Sequence, residues 1–302
     1  MRKNRRLRIL KNCLAVIISA LIIYYIGRTV YLNLHQLKEI TLKINYFYLG
    51  IALIALFLSF LVNVFAWLYF LRLFDHKISF MKMWKILALP SLGRYIPGKI
   101  WSIAGVVYFA GKEGISRKKT SLGIAISMAI SLLAALVVFL ISLAFWPSPS
   151  EVLSYIRVLL VLPFILVMIH PKIFLPVTNK ALKIIKRTPI TVEISYKHMI
   201  VLTLQYILLW LLQGLSFYFI IRSLFYINIS QIPAIIGVYP LAWVIGFLSF
   251  ITPGGIGVRE GIIVYLLSFI IPQPIAIMAA LISRIISTIQ EICQALVALK
   301  IK

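Results

Sequence analysis

Six charged side chains, Arg94, Lys99, Arg259, Glu260, Arg284 and Glu291, fall inside stretches that are otherwise apolar. Each basic member would cost on the order of 3 kcal/mol at mid-bilayer if it faced lipid, so all four are expected to face inward. They cluster around two backbone breaks, Pro97-Gly98 and Pro253-Gly254-Gly255, the second followed by Gly257. Proline removes a backbone donor and glycine permits unusual backbone angles, and freed amides are tolerated in hydrocarbon only where they face protein or a wet cavity. Helix-end amides together with arginine and lysine make an anion site suited to a lipid phosphate. The alternative is that these groups pair with one another or with freed carbonyls and simply hold the breaks in place, or that they snorkel to the interface. On the last apolar segment Arg284, Ser287, Glu291 and Gln294 recur at i, i+3, i+7 and i+10, one helical face turned to the interior. Glu260 is placed to neutralise either Arg259 or Arg284.

Other chemistry is absent from the pattern. The four histidines, His35, His76, His170 and His198, are scattered over segment ends, and Cys13 and Cys293 lie in apolar surroundings. No metal-ligand spacing or disulfide framework results, and no cofactor is expected. No glycine-rich loop ending in Lys-Ser/Thr announces ATP, and no nucleophile, base and orienting group assemble into a catalytic set. An enzyme is therefore not expected.

The elements that must position these residues are transmembrane helices. Hydrophobic residues make up 62% of the 302 and charged residues only 13%, against about 25% charged in an average globular protein. Crossing about 30 Å of hydrocarbon takes about 20 mostly apolar residues. Six segments qualify: Cys13 to Leu32, Tyr46 to Leu71, Thr120 to Trp146, Val152 to Ile169, Met199 to Ile221 and Pro274 to Leu299. Two further stretches, Trp84 to Ala110 and Ile232 to Ile271, are the ones interrupted by the breaks. The first leaves arms of roughly ten residues, too short to span; the second leaves longer arms that would suit two tilted crossings. Both hairpins return to the side they left, whether re-entrant or tilted. The expected fold is thus an all-α integral membrane domain of six transmembrane helices and two Pro-Gly-broken hairpins.

The formal charge of +24 would ordinarily raise nucleic acid as a partner. Its distribution argues otherwise. With the N-terminus inside, 22 of the 31 basic residues fall in cytoplasmic segments, five outside, and four within apolar stretches, as the positive-inside rule requires. No nucleic acid is needed to account for them. The basic start from Met1 to Asn12 leads into an apolar segment with no small-residue cleavage site, so it reads as an uncleaved first helix. A multi-pass protein of the cytoplasmic membrane with both termini cytoplasmic is expected. The basic run from Pro171 to Lys197 reads either as an amphipathic helix on anionic lipid or as a solvated loop.

Shifting the chain by 156 positions superposes Pro97-Gly98 on Pro253-Gly254, Ser127 on Ser283 and Ser131 on Ser287. Each half then reads as two helices, a broken hairpin and a third helix. The halves, about 13–146 and 152–299, begin on opposite sides, which makes them an expected inverted repeat with its site near the midplane at the interrupted helices.

The residues Pro-Ser-Leu-Gly-Arg-Tyr-Ile-Pro-Gly-Lys-Ile-Trp from Pro90, and Thr-Pro-Gly-Gly-Ile-Gly-Val-Arg-Glu-Gly from Thr252, resemble the lysylphosphatidylglycerol synthase transmembrane region, or flippase-like domain family. The resemblance spans nearly the whole chain. It implies a membrane domain that moves an anionic lipid, a phospholipid or a polyprenyl-phosphate-linked one, between leaflets. No soluble synthase domain follows Lys302 in this sequence, so lysyl transfer is not expected of it alone. The competing reading is a non-transporting partner of a lipid-modifying enzyme, such as a glycosyltransferase or aminoacyl-phospholipid synthase, docked on the Pro171 to Lys197 run.

Overall fold

A computed structural model of the chain describes residues 44–95, 100–146, 170–184, 194–249 and 257–301. Every regular element among them is a helix. In chain order these are α1 (Tyr46–Arg72), α2 (Phe80–Ser91), a 3₁₀ turn (Leu92–Tyr95), α3 (Ile100–Lys112), α4 (Arg117–Leu143), α5 (Pro171–Ile184), α6 (Tyr196–Arg222), a 3₁₀ turn (Ile229–Gln231), α7 (Ile232–Leu248), α8 (Val258–Leu267) and α9 (Gln273–Leu299). The protein is a multi-pass helical membrane protein.

Among the described residues five helices are long and apolar enough to cross a membrane. Four of them, α1, α4, α6 and α9, are the predicted segments, each 27 residues long, or about 40 Å at 1.5 Å per residue. Helices α4 and α6 start ahead of their apolar runs because the polar residues there are helical too. Ser116, for instance, accepts the Lys119 amide at 3.2 Å and starts α4 at Arg117, ahead of the apolar run. The predicted spans 13–32 and 152–169, and the break residues Pro97, Gly98, Pro253, Gly254 and Gly255, lie outside the described residues.

The fifth span belongs to the second hairpin. Its first arm, counted from Ile229 to Leu248, has 20 residues and is long enough to cross, whereas the return arm α8 has 10 and covers about 15 Å. The expectation of two longer arms therefore holds for one arm only. In the first hairpin α2 has 12 residues and α3 has 13, both short of a span. The run after Pro171 is helical through Ile184, so of the two sequence readings the loop is corrected to a helix over that part. Phe174 anchors α5 to the core, and Lys172, Lys180 and Lys183 stay exposed.

Packing follows from apolar faces and a few interhelical hydrogen bonds. Helices α1 and α6 run along one another, and α4 and α7 complete the main bundle. Trp210 Nε1 donates to the Ser131 carbonyl at 2.9 Å and Ser216 Oγ to the Ala52 carbonyl at 2.8 Å, polar ties of the kind that register helices in an apolar medium. Gly214 permits the α6–α7 crossing: a Cβ there would strike the backbone carbonyl of Ile236.

Contacts between helix ends sort them into two groups. Lys119 Nζ donates to the Phe74 carbonyl at 3.0 Å, Tyr69 meets His198 Nδ1 at 2.6 Å, Lys82 pairs with Glu113 at 2.7 Å, and Lys85 Nζ donates to the Ile301 carbonyl at 2.7 Å. At the other end the Asn45 amide donates to the Ser223 carbonyl at 2.9 Å. The first group gathers the loops that the charge rule puts together.

Helix α9 packs against α2, the first 3₁₀ turn and α8, so it is a wall common to both hairpins. Trp84 of α2 is sewn to it by an Nε1 hydrogen bond to the Gln294 carbonyl at 3.1 Å. Trp84→Phe is expected to cost about 1–2 kcal/mol, from one buried hydrogen bond and some lost ring volume. A matching fall in the thermal unfolding midpoint in detergent would show it; an unchanged midpoint would mean the hydrogen bond contributes nothing.

Candidate functional site

The described part of the second break begins at Gly257, whose φ of 83° lies in the left-handed region that favours glycine. It caps α8. Its amide donates to Glu260 Oε2 at 2.6 Å, so a carboxylate three residues into the helix reaches back to satisfy an end amide. The other oxygen of the same carboxylate, Oε1, accepts from Arg284 Nη1 of α9 at 3.2 Å. Glu260 is buried and Arg284 half-buried. Of the two arginines open to it in sequence, Glu260 therefore takes Arg284.

Arg259 goes elsewhere. Its guanidinium carbon lies 4.3 Å from the ring centroid of Tyr239 on α7, a cation–π arrangement. Tyr239 is itself buried and set against Phe217 of α6, with ring centroids 5.4 Å apart. Gly246, about two turns beyond Tyr239, gives Arg259 its room: a Cβ there would sit 3.2 Å from the Arg259 Cβ. The Nε and Nη2 atoms of Arg259 are buried and have no hydrogen-bond partner. No carboxylate among the described residues pairs with it.

The remaining predicted residues are not brought into this group. Glu291 is buried on α9, seven residues past Arg284 and so about 10 Å further along the axis. Ser287 bonds back to the Arg284 carbonyl at 2.9 Å within its own helix. Gln294 is buried, with its carbonyl under Trp84. Arg94 falls in the first 3₁₀ turn, but its side chain, like Lys99 as a whole, lies outside what the structure describes. Among the described residues no group of three or more metal-ligating side chains occurs.

Tyr239 and Gly246 were not legible as site residues. They stand 20 and 13 positions before Arg259, in a segment that reads as uniformly apolar, and only the folding of the hairpin brings them to it. Gln290 instead ties α9 to α1, its Nε2 donating to the Leu56 carbonyl at 3.4 Å.

A family model, the lysylphosphatidylglycerol synthase TM region, matches residues 12–292. The chain belongs to that family. The match takes in both hairpins, the intervening helices and the Glu260–Arg284 pair, so the family domain and the bundle described above are the same unit. Comparison with curated proteins found no match.

Proposed function

We propose that this family member moves an anionic lipid, a phospholipid or a polyprenyl-phosphate-linked lipid, between the leaflets of the cytoplasmic membrane. One observation carries the reading. At a broken hairpin inside a membrane bundle, Arg259 is held against an aromatic ring and pairs with no described carboxylate, so the site keeps uncompensated positive charge where the surroundings are apolar. Such a charge is costly unless an anion spends time beside it. Arg284 contributes less to that field because Glu260 offsets it.

The element pattern supports an inverted repeat as the frame. Helices α4 and α9 are both 27 residues long, and α9 starts 156 positions after α4 (273 less 117), the offset that separates the two Pro-Gly breaks. Under the charge rule the first hairpin opens from the cytoplasmic side and the second from the outer side. The domain does no bond chemistry in this reading, and movement is facilitated or gradient-driven.

The competing role, a non-transporting partner of a lipid-modifying enzyme, has the exposed Lys172, Lys180 and Lys183 of α5 in its favour as a docking face. It gives no account of Arg259.

Reconstitution into vesicles carrying a fluorescent anionic lipid tests the proposal. The protein should speed transbilayer movement over empty vesicles, and Arg259→Ala should slow it about tenfold, the loss of one or two charge-assisted hydrogen bonds. Lys82→Ala, at an exposed position, should not. Movement no faster than in empty vesicles, for phospholipid and polyprenyl phosphate alike, would end the transport reading. Wild-type rates from Arg259→Ala would leave transport standing and remove Arg259 from it.

A further inference from the structure

The unpartnered atoms of Arg259 are not an arbitrary pair. In a guanidinium the Nε–H and one Nη2–H point from the same edge, side by side and in one plane. Both of these nitrogens are buried and unpartnered, so a whole hydrogen-bonding edge, rather than one stray donor, is left unsatisfied inside the bundle. The face of the group is occupied separately, by the Tyr239 ring at 4.3 Å. Tyr239 in turn is held by Phe217, and the Cβ of Arg259 stands against Gly246, so the edge has a fixed direction.

We infer that this edge of Arg259 receives one phosphate ester, with Nε and Nη2 donating in parallel to two non-bridging oxygens of the same phosphorus. The inference rests on the transport reading and names the chemistry that the site grips. A parallel two-bond grip is what a guanidinium supplies and an ammonium cannot, because the lysine head group is a point charge whose three donors diverge. The nearby carboxylate is turned elsewhere: Glu260 directs its two oxygens to Gly257 and Arg284 and makes no bond to the edge of its own neighbour. The clamp on Glu260 leaves the edge unpartnered until an oxyanion reaches it. A phosphate on a lipid and a free phosphate present the same oxygens, but the apolar surroundings favour a phosphate delivered by its own apolar body.

The full chain, purified in a maltoside detergent that contains no phosphate, provides the test. Its thermal unfolding midpoint is followed against increasing dioctanoyl phosphatidylglycerol, dioctanoylglycerol or inorganic phosphate. The phosphatidylglycerol should raise the midpoint by several degrees, and dioctanoylglycerol, with the same tails and no phosphate, should not. Arg259→Lys, which keeps the charge and loses the edge, should need at least ten times more phosphatidylglycerol for half the effect. Tyr239→Leu, which keeps the edge and removes its platform, should fall between the two. An equal response to dioctanoylglycerol, or an unchanged response in Arg259→Lys, overturns the inference. If Arg259→Lys elutes as aggregate, Tyr239→Leu and the lipid comparison still decide it: a wild-type response from that variant together with no phosphate preference refutes it. A full response to inorganic phosphate alone upholds the phosphate grip and assigns it to the free ion.

The two readings fail separately. Phosphate-selective binding without any lipid movement in vesicles removes transport and leaves the grip, whereas lipid movement at wild-type rates in Arg259→Lys, with unchanged binding, removes the grip and leaves transport.

Discussion

Glu260→Gln should lower the apparent unfolding midpoint by about 5 °C, corresponding to about 3 kcal/mol for a domain of this size. The amide is nearly the same shape as the carboxylate, but it cannot do the same work. Glu260 receives a hydrogen bond on each oxygen, from the Gly257 amide at 2.6 Å and from Arg284 Nη1 at 3.2 Å. Glutamine has one oxygen, so in either rotamer its NH₂ confronts one of those two donors. Arg284 also loses its countercharge in a medium where a lone cation is expensive. Arg284→Met alone leaves a buried carboxylate with one partner and should cost a similar amount. The double variant Glu260→Gln, Arg284→Met should recover to within about 1 kcal/mol of wild type, because the remaining oxygen can turn to Gly257 and no charge is stranded. Midpoints of the four proteins in detergent complete the cycle. A double variant no better than the worse single one would show that the pair is not what ties α8 to α9.

Gly214→Val should be at least as damaging, with a loss of about 3 kcal/mol or failure to yield monodisperse protein. Any Cβ at this position meets the carbonyl oxygen of Ile236, and its Cα lies close behind. Backbone cannot rotate away as a side chain can, so α6 and α7 would have to part. Parting them moves Tyr239, and with it the platform of Arg259. Gly50→Ala on α1 is the control, since nothing lies within 4 Å of its added Cβ. It should be neutral, or stabilising by up to about 1 kcal/mol through helix propensity. Equal elution profiles and midpoints for the two variants would count against a tight crossing.

These expectations draw on different depths of the sequence. The long helices were legible because a membrane sets one requirement, length in apolar residues, and α1 and α9 begin within one residue of where composition puts them. Their ends were less legible. Helix α4 begins three residues ahead of its apolar run, since Arg117, Lys118 and Lys119 behind the Ser116 cap are helical but polar, and hydropathy does not register a cap. The second hairpin was read as a break with a return, yet the inequality of its arms depends on where α8 gives way to the turn before Pro272, which composition does not mark. The site was the hardest part. Arg259 and Glu260 are adjacent, but neighbours on a helix point about 100° apart, so adjacency said nothing about pairing. Arg284, 24 positions away, reaches Glu260 because α8 lies along α9, a tertiary fact. The same holds for Tyr239.

Because both hairpins pack against α9, it limits how the bundle can move. Trp84 and Lys85 hold its far end to α2, while Arg284 holds its middle to α8. A twist of α9 about its own axis would drag both attachments at once. In the proposed transport, two hairpins geared to a single shaft cannot move independently of one another.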